Sequence, residues 1–379
     1  MNRTLKLLSV LIVAALCISH AVYAGGRRDA SLTRVNIGVH ANGGGSSAVA
    51  IAIERGYFRE FGIDPIVTVV ESGPVQMAAM RADSPTLDIG YIGAGVAWNA
   101  IDSTGNCISF VFLDGLSNSE RVVARTGFFV PNAAGRIDYA SLYNGFRGRT
   151  VHLEKGTTSG VWFKHILELI NANFPPADRL WIQSDNAAFL ADYTPANNNP
   201  ANRVTVINFL NSNIPAGMAT AGADAIDIAV AFAPVPTILA SIPGVEEVAD
   251  ASSLPGTRVL PTTWVARTNW LQSNPELARN FIFALYRAVL FRAANLDESM
   301  RAAERLTGRP TGTFDHGGWF FPAAANYREW FADNDSVGFG FLRTLYDVSV
   351  PNIPAGATPK PFEQAFDLEN MLLAIREFQ

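Results

Sequence analysis

The segment 156–160 carries residue types that bind anions in proteins. Its sequence, Gly-Thr-Thr-Ser-Gly, follows a short apolar run at 149–153 and precedes a segment of helical periodicity at 161–169. A strand that enters such a turn at a helix N-terminus leaves backbone N–H groups without intrahelical partners, and the helix dipole adds partial positive charge there. The segment therefore predicts either a capped helix start or a cradle for an anionic group.

Two further glycine-rich turns follow predicted strands and enter predicted helices. The first, at 40–47, reads His-Ala-Asn-Gly-Gly-Gly-Ser-Ser, and the second, at 90–95, reads Gly-Tyr-Ile-Gly-Ala-Gly. Glycine lets a backbone approach a ligand closely, and its exposed N–H groups supply donors without a charged side chain. Three such turns at matching places favour one shared ligand site over three unrelated helix caps.

Groups that would support catalysis or metal binding are sparse. The histidines beyond residue 24 are His40, His152, His165 and His316, and none lies in an HExxH or other paired spacing. Ser159 lacks the G-x-S-x-G spacing of a nucleophile elbow, and Cys107 adjoins a run that reads as a buried strand. The sequence predicts no enzyme, no metal and no cofactor, and only His40, which ends the first strand, is a candidate ligand contact.

Residues 1–24 read as a cleaved signal peptide. Arg3 and Lys6 form a basic start, an apolar stretch follows, and Val22-Tyr23-Ala24 is a small-residue cleavage site. Cys17 admits a lipoprotein reading, but the bulky Leu16 before it disfavours one. Removal of this segment leaves 27 basic and 34 acidic residues, a net charge of −7, so nucleic acid and anionic membranes are disfavoured as partners.

Two stretches of the chain alternate apolar strands with helical segments. In the first, strands are predicted at 35–39, 66–70, 87–89 and 107–112, with helices at 47–58, 75–81 and 96–101. In the second, strands are predicted at 150–153, 204–209 and 226–232, with helices at 160–170, 215–221 and 235–241. This alternation is typical of a parallel sheet with helices on both faces, where ligands bind at the carboxyl ends of strands.

Two short β-favouring runs, 121–125 and 262–267, are predicted to cross between two lobes as a hinge. The first lobe then comprises 34–121 and 268–379, and the second comprises 126–261. Asn274 is placed to cap, and Pro275 to begin, a long amphipathic helix; 362–378 predicts another. The aromatic run from Trp319 to Phe331 is interpreted as packing.

These motifs, in this order, resemble a periplasmic solute-binding protein of an ABC importer. The group is that of nitrate, taurine and aliphatic sulfonates, which shades into binders of thiamine-pyrimidine precursors. The similar segments are Ala52 to Phe58 with Phe61-Gly62-Ile63, Leu87 to Gly93, Gly145 to Gly160, Ala225 to Pro234, and Trp270 to Phe281 around Asn-Pro-Glu. They span most of the chain after residue 24, although the loop at 192–203 is longer than the group's pattern.

The resemblance implies a two-lobed type II periplasmic-binding-protein fold, each α/β lobe a central sheet flanked by helices, which binds ligand in the interlobe cleft without chemistry. The ligand contacts it implies are His40, Asn42, Gly43, Gly93 and Ala94 in the first lobe and Thr157, Thr158, Ser159, Phe232 and Pro234 in the second. The partners it implies are a small-molecule solute and a permease of the cytoplasmic membrane. The protein is expected to be an exported, periplasmic or extracytoplasmic monomer.

The identity of the solute stays open between two classes. A sulfonate, taurine or nitrate type of anion fits helix N-termini and hydroxyl groups, and ranks first. A pyrimidine-like or other aromatic solute would suit the aromatic candidates Trp162, Phe232 and Trp264. A related fold also serves a pyrimidine-synthesising enzyme that relies on clustered cysteines and a histidine, which a single cysteine beyond the signal does not provide.

Overall fold

The computed structural model describes residues 32–93, 96–97, 108–184, 199–222, 225–253, 260–349, 358 and 360–378. The predicted signal peptide with Cys17, Cys107, Ala94, most of the predicted helix at 96–101 and most of the loop at 192–203 lie outside the described residues. The fold below concerns the described part of the chain.

The described strands fall into two sheets of six strands each. They are β1 Thr33–His40, β2 Ile63–Val70, β3 Ile89–Gly93, β4 Ile108–Ser117, β5 Arg121–Arg125, β6 Thr150–Leu153, β7 Trp181–Ser184, β8 Arg203–Asn208, β9 Ile228–Ala231, β10 Val245–Asp250, β11 Leu260–Arg267 and β12 Trp319–Phe320. The first sheet has the order β12-β4-β11-β3-β1-β2, and the second has the order β10-β5-β9-β6-β8-β7.

Helices cover both sheets. They are α1 Gly45–Glu54, α2 Tyr57–Glu60, α3 Gly73–Arg81, α4 Tyr139–Phe146, α5 Thr158–Ala172, α6 Ile214–Ala219, α7 Val235–Leu239, α8 Thr268–Ser273, α9 Pro275–Ala294, α10 Leu296–Thr307, α11 Ala324–Trp330, α12 Val337–Ser349, α13 Phe362–Ala365 and α14 Glu369–Glu377. Within the described ranges, none of these helices combines the length and the apolar character needed to span a bilayer.

Both sheets are mixed, where the alternation of strands and helices predicted purely parallel ones. Strand β1 runs parallel to β2 and β3, but β11 runs antiparallel to both β3 and β4. Likewise, β6, β7, β8 and β9 are parallel, while β5 runs antiparallel to β9 and β10. Strand β5 follows β4 of the first sheet after three residues, 118–120, with no helix between the two strands.

The segments predicted as hinge crossings are these two strands. Residues Arg121–Arg125 pair along their length within the second sheet, and Leu260–Arg267 pair within the first. β-Branched residues suit both extended connectors and sheet strands. The sequence alone therefore does not distinguish a hinge crossing from a strand at these two segments. The chain leaves the first sheet at Ser117 and enters the second at Arg121, and it leaves the second at Asp250 and re-enters the first at Leu260. The predicted lobe boundaries otherwise stay a prediction.

Each sheet builds its own hydrophobic core. Around the first sheet, Val35, Ile37 and Val39 of β1 are buried against α1 and α9. Around the second, Val151 and Leu153 of β6 are buried with Trp162 and Phe163 of α5. The alternating inward residues of parallel strands explain both cores, since each strand is covered by helices on its faces.

The two C-terminal helices predicted from the sequence differ in detail. Asn274 precedes α9 but does not cap it; its side-chain amide donates to the Trp270 carbonyl of α8, 3.0 Å away. The predicted helix at 362–378 is interrupted between α13 and α14, where the Asp367 N–H donates to the carbonyl of Phe110 in β4. In both places the backbone bonds to a neighbouring element rather than continuing its own helix.

A fully buried ion pair joins α9 to β4. Arg292 Nη2 lies 2.8 Å from Asp114 Oδ1, and neither side chain is exposed. The same guanidinium donates to the Gly44 carbonyl and lies 3.7 Å from the ring centroid of Phe321. This cluster therefore ties the turn after β1, the end of β4 and the long helix α9 to one point.

We expect the replacement Asp114→Asn or Arg292→Met to destabilise the protein strongly. Removing one partner of a buried pair leaves the other charge uncompensated, at a cost of about 3–5 kcal/mol in unfolding free energy. The measurement is urea unfolding followed by circular dichroism. As a control, Glu54→Gln breaks the exposed pair between Arg305 and Glu54, where a change below about 1 kcal/mol is expected. Equal losses for both pairs would contradict the assignment.

Candidate functional site

A cavity lies between the two sheets, at the end where the chain passes from one to the other. Its volume is about 460 Å³, the solvent at its mouth included. It is lined by His40, Asn42, Gly73, Tyr91, Gly93, Val96, Ser117, Ser119, Glu120, Thr157, Thr158, Phe232, Leu260, Pro261, Thr262 and Trp319. The first sheet, the second sheet and the connection 118–120 thus each contribute part of the wall.

Most of the ligand contacts implied by the resemblance meet at this cavity. The predicted residues that line it are His40, Asn42, Gly93, Thr157, Thr158 and Phe232. Gly43 and Pro234 line a neighbouring cavity, which shares Ser119 and Trp319 with the first. Ser159 is buried in the first turn of α5 and lines neither cavity, and Ala94 lies outside the described residues.

The glycine run after β1 accommodates protein rather than ligand. A Cβ atom on Gly45 would lie 2.1 Å from Tyr91 Cγ, and one on Gly44 would lie 2.2 Å from Tyr91 Oη. A Cβ on Gly43 would meet Met300 Sδ at 2.6 Å. These glycines allow the Tyr91 ring to pass close to the backbone, so the prediction that they approach a ligand does not hold for Gly44 and Gly45.

The N-terminus of α5 borders the cavity, as the Gly-Thr-Thr-Ser-Gly turn indicated. Gly156 has the left-handed backbone that this turn requires, with φ of 74°. Thr157 precedes the helix but does not cap it, because its hydroxyl donates to the Glu154 carbonyl at 2.6 Å. The hydroxyl of Thr158 hydrogen-bonds instead to the carboxylate of Glu120. The cradle is therefore next to an acidic side chain of the protein itself.

Four buried polar atoms that line this cavity make no hydrogen bond of normal geometry within the described part of the protein. They are His40 Nε2, Tyr91 Oη, Glu120 Oε2 and Thr262 Oγ1. The Thr262 hydroxyl is nonetheless close enough to Tyr91 to lower the pKa of that side chain. A buried donor or acceptor left unsatisfied costs about 1–3 kcal/mol, so folded proteins rarely gather several in one place. Their convergence on a cavity with apolar walls is the arrangement of a small-molecule site.

Aromatic rings form one wall. Trp319 lies 6.5 Å from Tyr91, centroid to centroid, and stacks on Phe321 at 5.9 Å with an interplanar angle of 7°. Trp319 was interpreted as packing, but it lines both cavities because β12 sits at the sheet edge beside β4. The candidates Trp162 and Trp264 are buried in the two cores and line neither cavity.

Burial shifts the titration of three groups in the cavity. Desolvation lowers the pKa of His40 to about 4, which the nearby side chain of Gln76 partly offsets. Burial and the charge of Asp114 hold the pKa of Tyr91 well above its usual range. Burial also raises the pKa of Glu120, although hydrogen bonds from Thr158 and Ser119 oppose this. His40 and Tyr91 are thus neutral at pH 7.

The two sheets meet directly across the cavity. A Cβ on Gly93 of the first sheet would lie 3.0 Å from Thr158 Cγ2 at the start of α5. Around the rim, Ser212 donates to Glu71 at 3.3 Å and Thr237 donates to Asp315 at 2.8 Å, each bond joining the two sides of the cavity. Hydrogen bonds therefore connect the two sides across the cleft.

The described residues offer no alternative built on a metal. No group of three or more His, Cys, Asp or Glu side chains in the described ranges is placed to hold a metal ion. No lysine or arginine is among the residues that line the cavity, and Glu120 is its one carboxylate within the part of the chain described. Hydroxyls, an imidazole, aromatic rings and one carboxylate make up its polar chemistry.

Searches with the sequence give distant relatives. No family model matches it. A presumed binding protein of Brucella abortus (strain 2308) is 27% identical over 266 residues, which cover 70% of this chain and 69% of that protein. A protein of Brucella suis with the same kind of name matches to the same extent.

Solved structures with the same fold are also distant in sequence. The alkanesulfonate-binding protein SsuA from Xanthomonas axonopodis pv. citri, bound to MOPS, is 13% identical, with a TM-score of 0.54 over 87% of this chain and 97% of that one. The periplasmic nitrate-binding protein NrtA from Synechocystis PCC 6803 is 13% identical, with a TM-score of 0.54 over 92% and 99%. The predicted type II periplasmic-binding-protein fold is thereby confirmed.

An enzyme shares this fold. The desulfurization enzyme DszB is 11% identical, with a TM-score of 0.57 over 91% of this chain and 99% of that one. The fold alone therefore does not decide between binding and catalysis. Whether a protein of this fold only binds its solute or also converts it depends on the side chains that line the cavity.

We expect His40 to make the protein sensitive to mild acid. Its pKa of about 4 lies below the ordinary value of 6.5, so the unfolded chain takes up the proton first as the pH falls. The unfolding free energy that depends on neutral His40 is complete above pH 6.5 and is lost between pH 6.5 and 4, by about 2–3 kcal/mol at pH 4.5. Thermal unfolding of wild type and His40→Gln at pH 6.5 and at pH 4.5 measures this loss of stability.

The exposed His316 provides the matched control, because its side chain is 44% exposed. Replacement His316→Gln should leave the pH dependence of the melting temperature as in wild type. If His40→Gln and wild type lost stability in parallel between pH 6.5 and 4.5, the neutral, buried state assigned to His40 would be wrong.

Proposed function

We propose that the protein is the extracytoplasmic solute-binding component of an ABC importer. It binds a small solute in the cavity between the two sheets and presents it to a permease in the cytoplasmic membrane. The observation that carries this proposal is the convergence of four unsatisfied polar atoms, from His40, Tyr91, Glu120 and Thr262, on one cavity between the sheets. A solute that hydrogen-bonds to them would stabilise the closed cleft.

Binding without chemistry fits the groups at the site better than catalysis does. A general base needs a pKa near its working pH, but burial lowers the pKa of His40 to about 4 and raises that of Tyr91. Glu120, whose pKa burial raises, is then the one candidate base among the described residues that line the cavity. The cleaved signal at 1–24 would export the chain, and the distant relatives of known name are described as binding proteins. Constant mass of a bound solute over a day, by mass spectrometry, would support binding, while a converted product would support an enzyme.

Two solute classes each have one observation in their favour. The N-terminus of α5, which no side chain caps, favours an anionic group such as a sulfonate or nitrate. The wall of Trp319, Tyr91 and Phe232 favours a flat or apolar body. A small organic solute that combines an apolar body with a few polar groups uses both parts of the cavity.

The direct test is a thermal-shift screen of the chain expressed without residues 1–24. Sulfonates, nitrate, bicarbonate, thiamine precursors and other small heterocycles form the library. A ligand that binds only the folded state at a hundredfold its dissociation constant adds about 2.7 kcal/mol to unfolding free energy, which raises the melting temperature measurably. No shift from any class would contradict the proposed function.

We expect bulky apolar residues at Thr157 and Thr158 to abolish solute binding while both sheets still fold. The double replacement Thr157→Leu/Thr158→Leu fills the cavity at the start of α5 and removes two hydroxyls. Isothermal titration calorimetry with a solute from the screen measures the loss. Thr158→Val, which keeps the shape and removes the hydroxyl beside the Glu120 carboxylate, should weaken binding by about tenfold, since one hydrogen bond contributes about 1 kcal/mol or more. Unchanged affinity in the double variant would count against this cavity.

We expect Gly93→Val to oppose closure of the cleft. Its side chain would meet Thr158, since even a Cβ atom at Gly93 already lies 3.0 Å from Thr158 Cγ2. Small-angle scattering should show wild type becoming more compact with solute and the variant staying extended. Gly340→Ala is the control, because nothing lies within 4 Å of a Cβ at Gly340. Identical free and loaded shapes of wild type would argue for a rigid module.

A further inference from the structure

We infer that Glu120 determines which solute this cavity accepts, by receiving hydrogen bonds from an N–H donor, such as an amine, on the solute. This inference rests on the proposed function and names the chemistry of its ligand. A solute that carries only anionic groups would be rejected.

Glu120 lies in the connection 118–120, between β4 and β5, and is 2% exposed. It lines the cavity, and the neighbouring hydroxyls of Thr158 and Ser119 lower the pKa of its carboxyl against the effect of burial. The Oε2 atom of this carboxyl makes no hydrogen bond of normal geometry within the described part of the protein. A fixed, buried acceptor at the wall of the cavity remains open to a ligand.

The carboxylate also occupies the position that an anionic ligand would take. Thr158 is the first residue of α5, so its hydrogen bond places Glu120 at the positive end of the helix dipole. The anion that this helix N-terminus accommodates is thus the protein's own side chain. A sulfonate or nitrate placed there would meet a second negative charge.

No basic side chain lines the cavity in the described part of the chain to balance Glu120. The charge of the neighbouring Arg121 lowers the pKa of Glu120, but its guanidinium pairs with two other carboxylates: Nε lies 3.0 Å from Glu247 Oε1 and Nη2 lies 3.9 Å from Asp250 Oδ2. A buried carboxylate without a paired cation is unfavourable, and burial accordingly raises the pKa of Glu120. A cationic or N–H-bearing solute would offset the cost of burying the Glu120 carboxylate. The negative charge of Glu120 would then increase the affinity for such a solute.

The remaining unsatisfied atoms complete the recognition. Tyr91 Oη and Thr262 Oγ1 are hydroxyls that can donate or accept, and His40 Nε2 belongs to a neutral ring. These groups tolerate either polarity in a ligand, whereas an ionised Glu120 only accepts. Discrimination between donor-bearing and donor-free solutes therefore falls to Glu120.

Two matched pairs of probes test the inference, each differing by an amine in place of a methyl group. The aliphatic pair is 2-aminoethanesulfonate and 1-propanesulfonate, and the aromatic pair is 4-aminopyrimidine and 4-methylpyrimidine. In whichever pair binds, the amine should bind wild type at least about tenfold tighter, because hydrogen bonds to charged groups are the strong ones. Isothermal titration calorimetry gives the affinities.

The isosteric replacement Glu120→Gln should lower the affinity for the amine by about tenfold and change that for the methyl probe by less than about twofold. Glu304→Gln is the matched control. Glu304 is also 2% exposed and has an unpartnered Oε2, but it does not line the cavity. It should leave both affinities as in wild type.

The outcomes separate this inference from the proposed function. Methyl probes that bind as well as amines, or a preference that survives in Glu120→Gln, would overturn the role of Glu120 while solute binding stands. Binding in the wider screen only by donor-free anions would do the same. Absence of any binder would overturn the proposed function and the inference with it. If Glu120→Gln did not fold, the comparison of paired probes in wild type would still decide.

Discussion

The buried ion pair between Arg292 and Asp114 fixes the geometry on which the cavity depends. Because Arg292 also donates to the Gly44 carbonyl, the turn after β1 is held against β4 and α9 at one point. That turn contains the glycines whose missing side chains admit the Tyr91 ring. Tyr91 in turn carries one of the unsatisfied hydroxyls that face the cavity. A charge pair with no contact to solvent therefore positions a wall of the solvent-accessible cleft.

The two antiparallel strands place the remaining groups. Residues at the start of each strand line the cavity: Glu120 lies just before β5, and Thr262 lies near the start of β11. The topology that links the two halves thus also delivers polar side chains to the space between them. Solute binding and closure of the cleft would then act on the same short segments.

Much of the fold follows from the sequence because strand and helix patterns alternate clearly. Strand β6 was predicted with its observed bounds, and the turn before α5 was placed at the cavity. Strands β7 and β10 and helix α4 were missed, since their short apolar runs carry no distinguishing period. The sequence does not identify Glu120 and Trp319 as cavity residues. A carboxylate beside a strand and a tryptophan in an aromatic run reach the cavity only through pairing between strands that are distant in sequence. The sequence predicts an anion site at the N-terminus of α5, but in the structure Glu120, which is distant in sequence, lies beside it.

We propose that the cavity between the sheets binds the solute and that Glu120 accepts a hydrogen bond from an N–H group of that solute. A crystal structure of the protein with the tightest binder from the screen tests it most directly. The account predicts the solute between Trp319 and Thr158, with a nitrogen about 2.7–2.9 Å from a Glu120 carboxylate oxygen. A solute bound outside this cavity, or one inside it that turns an anionic group towards the helix N-terminus while Glu120 points away, would contradict the account.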